Sequence, residues 1–243
     1  MPISEKSYRD REAKATLLRD ATAGFAPVFA PADGSLTATN FQTFIAGAGA
    51  RNTNVENLEV NYTNNSTARV ALVKSIRAAV TQAVGFVKSN KAWATQFKAV
   101  KMAADKLRGV NPPSKVELPV PPAAGGPPVT PERPRSKGEQ AYVELAAHLD
   151  KFITAITACA PYTPPSAAIT LSAFGGMVSQ FKGLNAFIST LEMQLTSARE
   201  SRRKLYYEGE ECLERKFQAV KDAVKGQYGQ ASTEYGGVKA LTW

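Results

Sequence analysis

The fold is decided by residues 55–87, whose sequence is VENLEVNYTNNSTARVALVKSIRAAVTQAVGFV. Large apolar side chains recur in this stretch at intervals of three, four or seven residues, which aligns them along one side of an α-helix. The stripe consists of Val55, Leu58, Tyr62, Val73, Ile76, Val80, Val84 and Val87, with Arg69 as its one charged member. The chain shows no long stretch of the alternation that is typical of strands. The sequence therefore predicts an all-α protein.

Helical patterns also lie on both sides of this stretch. The spacing predicts a first helix over Ser7–Gly24, a second helix beginning near Thr37, the long third helix, and a fourth helix from Trp93 to Leu107. Four helices joined by short loops predict an up-and-down bundle in residues 1–109.

A proline-rich segment follows this first group of helices. Nine of the 15 prolines lie between Val110 and Gly138. Proline fixes φ and has no amide hydrogen, so residues 110–138 are predicted to be a semi-rigid linker rather than a helix or a central strand. The spacing of Pro119 and Pro122 also fits a PxxP ligand, which is a weak signal. The linker separates predicted domains at 1–109 and 139–243.

The sequence of the second predicted domain resembles that of the first. Several residue pairs lie 134 positions apart, namely Tyr8 and Tyr142, Leu18 and Phe152, Pro27 and Pro161, and Pro31 and Pro165. Arg69 and Arg202 correspond at an offset of 133. These matches predict an internal duplication that gives two related four-helix bundles. In the second copy alone, Glu208–Glu210 should interrupt the long helix, and the final Trp243 should dock on its bundle.

The last 40 or so residues of the chain contain a recognisable pattern of residues. It consists of Leu205-Tyr206, Gly209, Leu213, Val220-Lys221, Val224-Lys225, Tyr228-Gly229, Ser232, Tyr235, Val238-Lys239, Leu241 and Trp243. This pattern resembles that of uncharacterised bacterial helical-bundle proteins. The resemblance implies an all-helical fold and no catalytic residue.

Residues suited to catalysis are scarce. The chain has one histidine, His148, and two cysteines, Cys159 and Cys212, which are fewer than a closed zinc site needs. We expect both cysteines to be buried thiols. The sequence contains neither a phosphate-binding loop nor a Gly-x-Ser-x-Gly motif. It therefore predicts a protein that is not an enzyme and that uses no cofactor or metal.

The formal net charge of +9 is unevenly distributed along the chain. Residues 1–109 carry +7, residues 110–138 carry +2, and residues 139–243 are neutral. The candidate contact residues for a polyanion or a partner are Arg69, Lys74, Arg77, Lys88, Lys91, Lys98, Lys101, Lys106 and Arg108. A candidate acidic partner patch in the neutral half consists of Glu208, Glu210, Glu211 and Glu214.

Three interpretations of this charge remain open at the level of sequence. The basic helices could bind nucleic acid without reading its sequence, because cations neutralise phosphates. They could meet the acidic patch of another copy, and such contacts between unlike surfaces form rings or filaments. They could also be a solvated face that promotes solubility. We expect a non-catalytic structural or interaction protein, with a self-assembling scaffold preferred and a DNA- or RNA-binding protein as the alternative.

Two further features of the sequence predict the cellular compartment of the protein. The charged first residues lack the apolar region of a secretory signal, and no stretch approaches about 18 uninterrupted apolar residues. The sequence therefore predicts a cytoplasmic protein without a membrane partner.

Overall fold

The computed structural model describes residues 5–109 and 138–243, and the prediction of an all-α protein is confirmed for them. The described residues form seven α-helices and three short 3-10 helices, without a strand. The α-helices are α1 (Glu5–Ala23), α2 (Ala38–Ser89), α3 (Ala94–Arg108), α4 (Gly138–Thr157), α5 (Leu171–Tyr207), α6 (Leu213–Tyr228) and α7 (Thr233–Lys239). The 3-10 helices are Gly34–Leu36, Lys91–Trp93 and Ala167–Ile169.

The second and third helices predicted from the sequence form one continuous helix, α2, of 52 residues. At a rise of 1.5 Å per residue this helix is about 78 Å long. No proline occurs between Ala38 and Ser89, and Ile45 and Ala48 continue the buried stripe across Gly47. Nothing in this stretch therefore ends the helix where a boundary was expected.

The predicted interruption of the second long helix is present. Helix α5 ends at Tyr207, and α6 begins at Leu213. Between them Gly209 has a φ of +85°, a left-handed conformation that glycine adopts without steric cost. Helix α2 has no such break.

The chain divides into two compact units that differ from the predicted domains 1–109 and 139–243. Unit 1 contains the residues up to Thr63 together with Thr190–Trp243, and unit 2 contains Asn64–Ser189. Helices α2 and α5 each contribute to both units because neither is interrupted at the boundary. Each unit is therefore built from both halves of the sequence. The predicted linker, 110–138, lies outside the described residues except for Gly138, where α4 begins.

The core of unit 1 joins aromatic and aliphatic side chains from α1, α2, α5 and α6. Its fully buried members include Leu18, Phe41, Tyr206 and Phe217. Trp243 packs against this core with its ring centroid 5.3 Å from that of Phe217, so its predicted docking is confirmed.

The core of unit 2 combines Ile76 and Leu107 from the first half of the sequence with Phe152 and Phe174 from the second half. The rings of Phe152 and Phe174 meet edge to face at a centroid distance of 5.4 Å. Cys159 belongs to this core. It and Cys212 are both buried and free, as the sequence predicts.

Each unit contains an arginine stacked on a tyrosine. In unit 1 the Cζ atom of Arg202 lies 4.0 Å from the ring centroid of Tyr8. In unit 2 the Cζ atom of Arg69 lies 3.9 Å from the ring centroid of Tyr142. In both pairs the arginine and the tyrosine come from opposite halves of the sequence, and this stacking explains the charged residue in the apolar stripe of α2.

The two halves also share a loop feature ahead of their long helices. Asp33 accepts a hydrogen bond of 2.8 Å from the amide of Ser35 and caps the 3-10 helix Gly34–Leu36. Ser166 caps the 3-10 helix Ala167–Ile169 in the same way, with a 3.3 Å bond from the amide of Ala168.

Helix α2 is the one described helix that is long and apolar enough to cross a membrane, judged by length and composition only. One third of its most apolar window is buried inside the protein. A core helix of a soluble protein meets the same criterion, so the observation is weak evidence for a membrane span.

Candidate functional site

The nine cations proposed from the sequence all lie in unit 2, on α2, α3 and the 3-10 helix between them. Arg69 and Arg108 are partly buried, and the other seven side chains are exposed. We call these seven the basic face. They are Lys74, Arg77, Lys88, Lys91, Lys98, Lys101 and Lys106.

Helix periodicity explains why the cations of α2 share one side. Lys74, Arg77 and Lys88 fall within about 60° of one another around the helix axis. Each follows directly after a buried residue of the apolar stripe, so the three lie along the edge of that stripe. The Nε atom of Arg77 donates a 3.1 Å hydrogen bond to the carbonyl oxygen of Leu107 at the end of α3. This bond fixes the side of α2 that carries the cations next to the carboxyl end of α3.

Three cations of unit 2 lie at the carboxyl end of α3. Lys106 and Arg108 stand in the last turn of α3, and Arg77 reaches a carbonyl of the same turn. Cations are favourable there because the carboxyl end of a helix carries partial negative charge. These three residues therefore have a structural role in addition to any contact with a partner.

Arg69 and Arg108 are engaged within unit 2 rather than offered to solvent. Arg69 stacks on Tyr142, and its Nη1 atom donates a 3.4 Å hydrogen bond to Oδ1 of Asn185. The Nη1 atom of Arg108 lies 3.7 Å from a carboxylate oxygen of Asp105. Neither arginine presents a free guanidinium to an incoming anion.

The excess of positive charge belongs to unit 2. Residues 64–109 and 138–189 contain 11 lysines and arginines against four acidic residues, whereas residues 5–63 and 190–243 contain fifteen of each. On α2 and α3 within unit 2 the one acidic residue is Asp105, which pairs with Lys101 at 2.9 Å. Within the described residues, Lys101 is therefore the one member of the basic face that forms an ion pair with a carboxylate.

The structure brings the four proposed acidic residues together in unit 1, around the break between α5 and α6. All four are exposed. Glu208 pairs with Arg203 at 2.9 Å, and Glu211 pairs with Lys216. Glu214 stands in the first turn of α6, where the helix dipole favours a negative charge. Three of the four carboxylates therefore already have a favourable partner in their own unit.

An open groove in unit 1 was missed in the sequence. It has a volume of about 610 Å³, and its lining includes a buried lysine, Lys216, which is 7% exposed. The groove is lined by Ser35, Asn40, Thr43, Phe44, Gly47, Ala50, Arg51, Leu205, Glu211 and Lys216. One signal was available, since Lys216 occupies a position on the buried stripe of Leu213, Phe217 and Val220.

The groups most often used for metal binding and acid–base chemistry are dispersed. In residues 5–109 and 138–243, no three side chains of His, Cys, Asp or Glu are grouped so that they could hold a metal ion. His148 on α4 is partly buried, and its Nδ1 atom makes no hydrogen bond with the described part of the chain.

Comparisons with known proteins returned no relative. No family model matches the chain, and no curated protein or solved structure does so either.

Proposed function

We propose that this chain is a non-catalytic interaction protein and that the basic face of unit 2 is the surface through which it acts. The observation that carries the proposal is the exposure of seven cations on α2, α3 and their connection, with Asp105 as the one carboxylate on the parts of those helices that belong to unit 2. Lysines that serve solubility alone are usually interspersed with acidic residues. An unbalanced basic face suits a partner that carries many negative charges.

An anionic polymer is the partner that the charge pattern supports best. Nucleic acid presents closely spaced phosphates, and lysines on adjoining helices can neutralise them without reading the sequence. The acidic patch of a second copy is a poorer partner because Glu208 and Glu211 are already paired within unit 1. We therefore place sequence-neutral binding of DNA or RNA ahead of self-assembly.

Binding to a labelled DNA duplex at several salt concentrations tests this proposal. Each lost phosphate contact lowers the slope of log K against log salt by about one, so the triple variant Lys88→Gln, Lys91→Gln, Lys98→Gln should reduce the slope by about three. The matched control replaces three exposed lysines of unit 1: Lys204→Gln, Lys225→Gln, Lys239→Gln. It should retain the slope of the unmodified chain. Equal slopes for the two triple variants, or no binding at low salt, would rule out the proposal.

A self-assembling scaffold is the second candidate. It is favoured by the presence of two oppositely charged patches, since the acidic patch lies in unit 1 and the basic face lies in unit 2. Gel filtration with light scattering should then show large assemblies at low salt that dissociate at high salt. Replacement of all four glutamates of the acidic patch by glutamine should abolish them. A monomer at every salt concentration would remove this candidate.

We also propose that the chain is an internal duplication that forms two related four-helix bundles, each assembled from helices of both sequence halves. The two Arg–Tyr stacks support this, because they join equivalent residues at offsets of 133 and 134 positions. The capped 3-10 helices that precede α2 and α5 support it as well.

A further inference from the structure

We propose that the groove in unit 1 binds a small organic carboxylate with an apolar body, and that Lys216 receives the carboxylate. This site is separate from the basic face and does not rest on the function proposed for it. The groove is of a size typical for small-molecule sites, which range from about 300 to 1,000 Å³.

Lys216 is unusual because lysine is almost never buried unless it is paired. Its Nζ atom is paired with a carboxylate oxygen of Glu211 and lies 3.4 Å from Oγ of Ser35. The same atom lies 5.3 Å from the ring centroid of Phe44. The ammonium group thus stands between polar partners and an aromatic wall of the groove.

The counterion of Lys216 is placed so that another carboxylate can replace it. The side chain of Glu211 is 81% exposed, whereas that of Lys216 is 9% exposed. Glu211 belongs to the break between α5 and α6, outside both helices, and is exposed. A ligand carboxylate can therefore form the same ion pair while the glutamate returns to water.

A second cation and two apolar side chains complete the site. Arg51 is exposed on α2, lines the groove, and forms no ion pair with a carboxylate of the described residues. Phe44 and Leu205 are partly buried and line the same groove. This combination of cations and apolar walls fits a ligand with an anionic head and an apolar body.

Asp33 also interacts with Lys216, but it does not compete for the ligand site. Asp33 accepts hydrogen bonds from the amide of Ser35 at 2.8 Å and from its hydroxyl at 2.9 Å. These bonds are the main reason why the pKa of Asp33 is below its usual value, and Lys216 adds to the effect. Because the Ser35 hydroxyl donates its hydrogen to Asp33, its oxygen accepts from Nζ of Lys216, and Asp33 itself is not among the groove-lining residues.

The test uses hexanoate as the probe and 1-hexanol as its uncharged counterpart, with binding to the full chain measured by ligand-observed NMR. Hexanoate should bind with a Kd of about 1 mM, and 1-hexanol should bind at least about tenfold more weakly. Lys216→Met should weaken hexanoate binding by about tenfold or more. Lys225→Met, the same change at an exposed position of α6, should leave it unchanged.

Two further variants keep the proposal testable if Lys216→Met does not fold. Glu211→Gln removes the competing carboxylate and should tighten hexanoate binding. Gly47→Phe fills the groove from α2, where a Cβ atom would meet nothing within 4 Å, and should abolish binding while the helix is retained. Equal binding of hexanoate and 1-hexanol overturns the proposal. So does hexanoate binding that is unaffected by Gly47→Phe or not tightened by Glu211→Gln.

Discussion

Arg69 and Arg202 show how this protein tolerates cations among apolar residues. Burial of a guanidinium costs free energy unless its charge and donors are compensated. In both cases a tyrosine ring lies about 4 Å below the guanidinium carbon. Such stacking is stronger for a desolvated cation, and the planar guanidinium suits it better than an ammonium. The arginines are therefore part of the packing of each unit.

Replacement of a stacked arginine should destabilise the protein according to its burial. Arg202 is 3% exposed, so Arg202→Met should lower the free energy of unfolding by about 2 kcal/mol. Arg69 is less buried, and Arg69→Met should cost about 1 kcal/mol. The control is Arg203→Met, an exposed neighbour, which should change stability by less than about 0.5 kcal/mol. Urea denaturation measures all three, and an equal loss for Arg202→Met and Arg203→Met would contradict this account.

Tyr206 should make stability sensitive to alkaline pH. Burial raises its pKa to about 12 from the usual tyrosine value of 10.0. Below pH 10 the folded and unfolded chains both hold the phenolic proton. Between about pH 10 and 12 only the folded chain holds it, so stability falls as the pH rises through this window. Tyr162, with a pKa also raised to about 12 by burial, adds to the same fall.

The variant Tyr206→Phe should therefore lose less stability than the unmodified chain when the pH is raised from 9 to 11. Asn52 donates a 2.7 Å hydrogen bond to the hydroxyl of Tyr206, so the variant starts from a lower stability. Tyr235→Phe, at a partly buried position, serves as the control. Urea midpoints at the two pH values give the comparison. If Tyr206→Phe loses as much stability between pH 9 and 11 as the unmodified chain, then Tyr206 is not a source of the alkaline sensitivity.

The sequence pointed to Arg69, because it interrupts an apolar stripe, but not to its partner. Lys216 occupies a comparable position on α6, and it was not recognised from the sequence. Periodicity reports which side of a helix a residue occupies, and it carries no information on which helix will face that side. Tyr142, on which Arg69 stacks, lies 73 positions after it in the sequence. Ser35 lies 181 positions before Lys216.

At the level of helices, α2 and α5 respond differently to the glycines in their sequences. Helix α2 passes through Gly47 and Gly49 because buried residues on both sides keep its apolar stripe intact. Helix α5 stops where Glu208 and Gly209 end the pattern. The sequence therefore predicted the break in the second half correctly. It misplaced a boundary in the first half because isolated glycines weaken a helix without ending it.

Two glycine substitutions should have opposite effects on stability. Gly209→Ala places a Cβ atom on a residue with a φ of +85° and should destabilise the protein by about 1 kcal/mol. Gly183 lies within α5 with open space around its missing Cβ. Gly183→Ala should stabilise the protein by about 0.5–1 kcal/mol because alanine is the better helix former. Thermal unfolding measures both, and stabilisation by Gly209→Ala would show that the turn does not require glycine.

At the level of the whole molecule, each unit is completed by residues from both sides of the proline-rich segment. The sequence predicted two domains at 1–109 and 139–243 because composition changes sharply between them. The actual division follows contacts between distant helices, and these are not encoded in local composition. The charge asymmetry was recognised from the sequence, but it belongs to unit 2 rather than to the first half as a whole.

Cleavage of the chain within 110–137 tests this division. A protease site inserted there should yield two fragments that stay together on gel filtration, because both cores contain side chains from each fragment. They should separate in denaturant. The uncut chain with the same insertion is the control for its elution volume. Two fragments that elute separately in native buffer would instead favour independent domains at 1–109 and 139–243.

Each unit contains helices from both halves of the sequence, which has a consequence for how the charges of the two units could come to differ. Had the proposed duplication remained two separate identical chains, they would have formed a symmetric dimer, in which any charge gained at one unit would appear at the other. Covalent fusion removes that constraint. One unit can then accumulate lysines while the other stays neutral, as the distribution of 11 against four and fifteen against fifteen charged residues shows. Two units of one fused chain can therefore differ in net charge, whereas the two units of a symmetric dimer cannot.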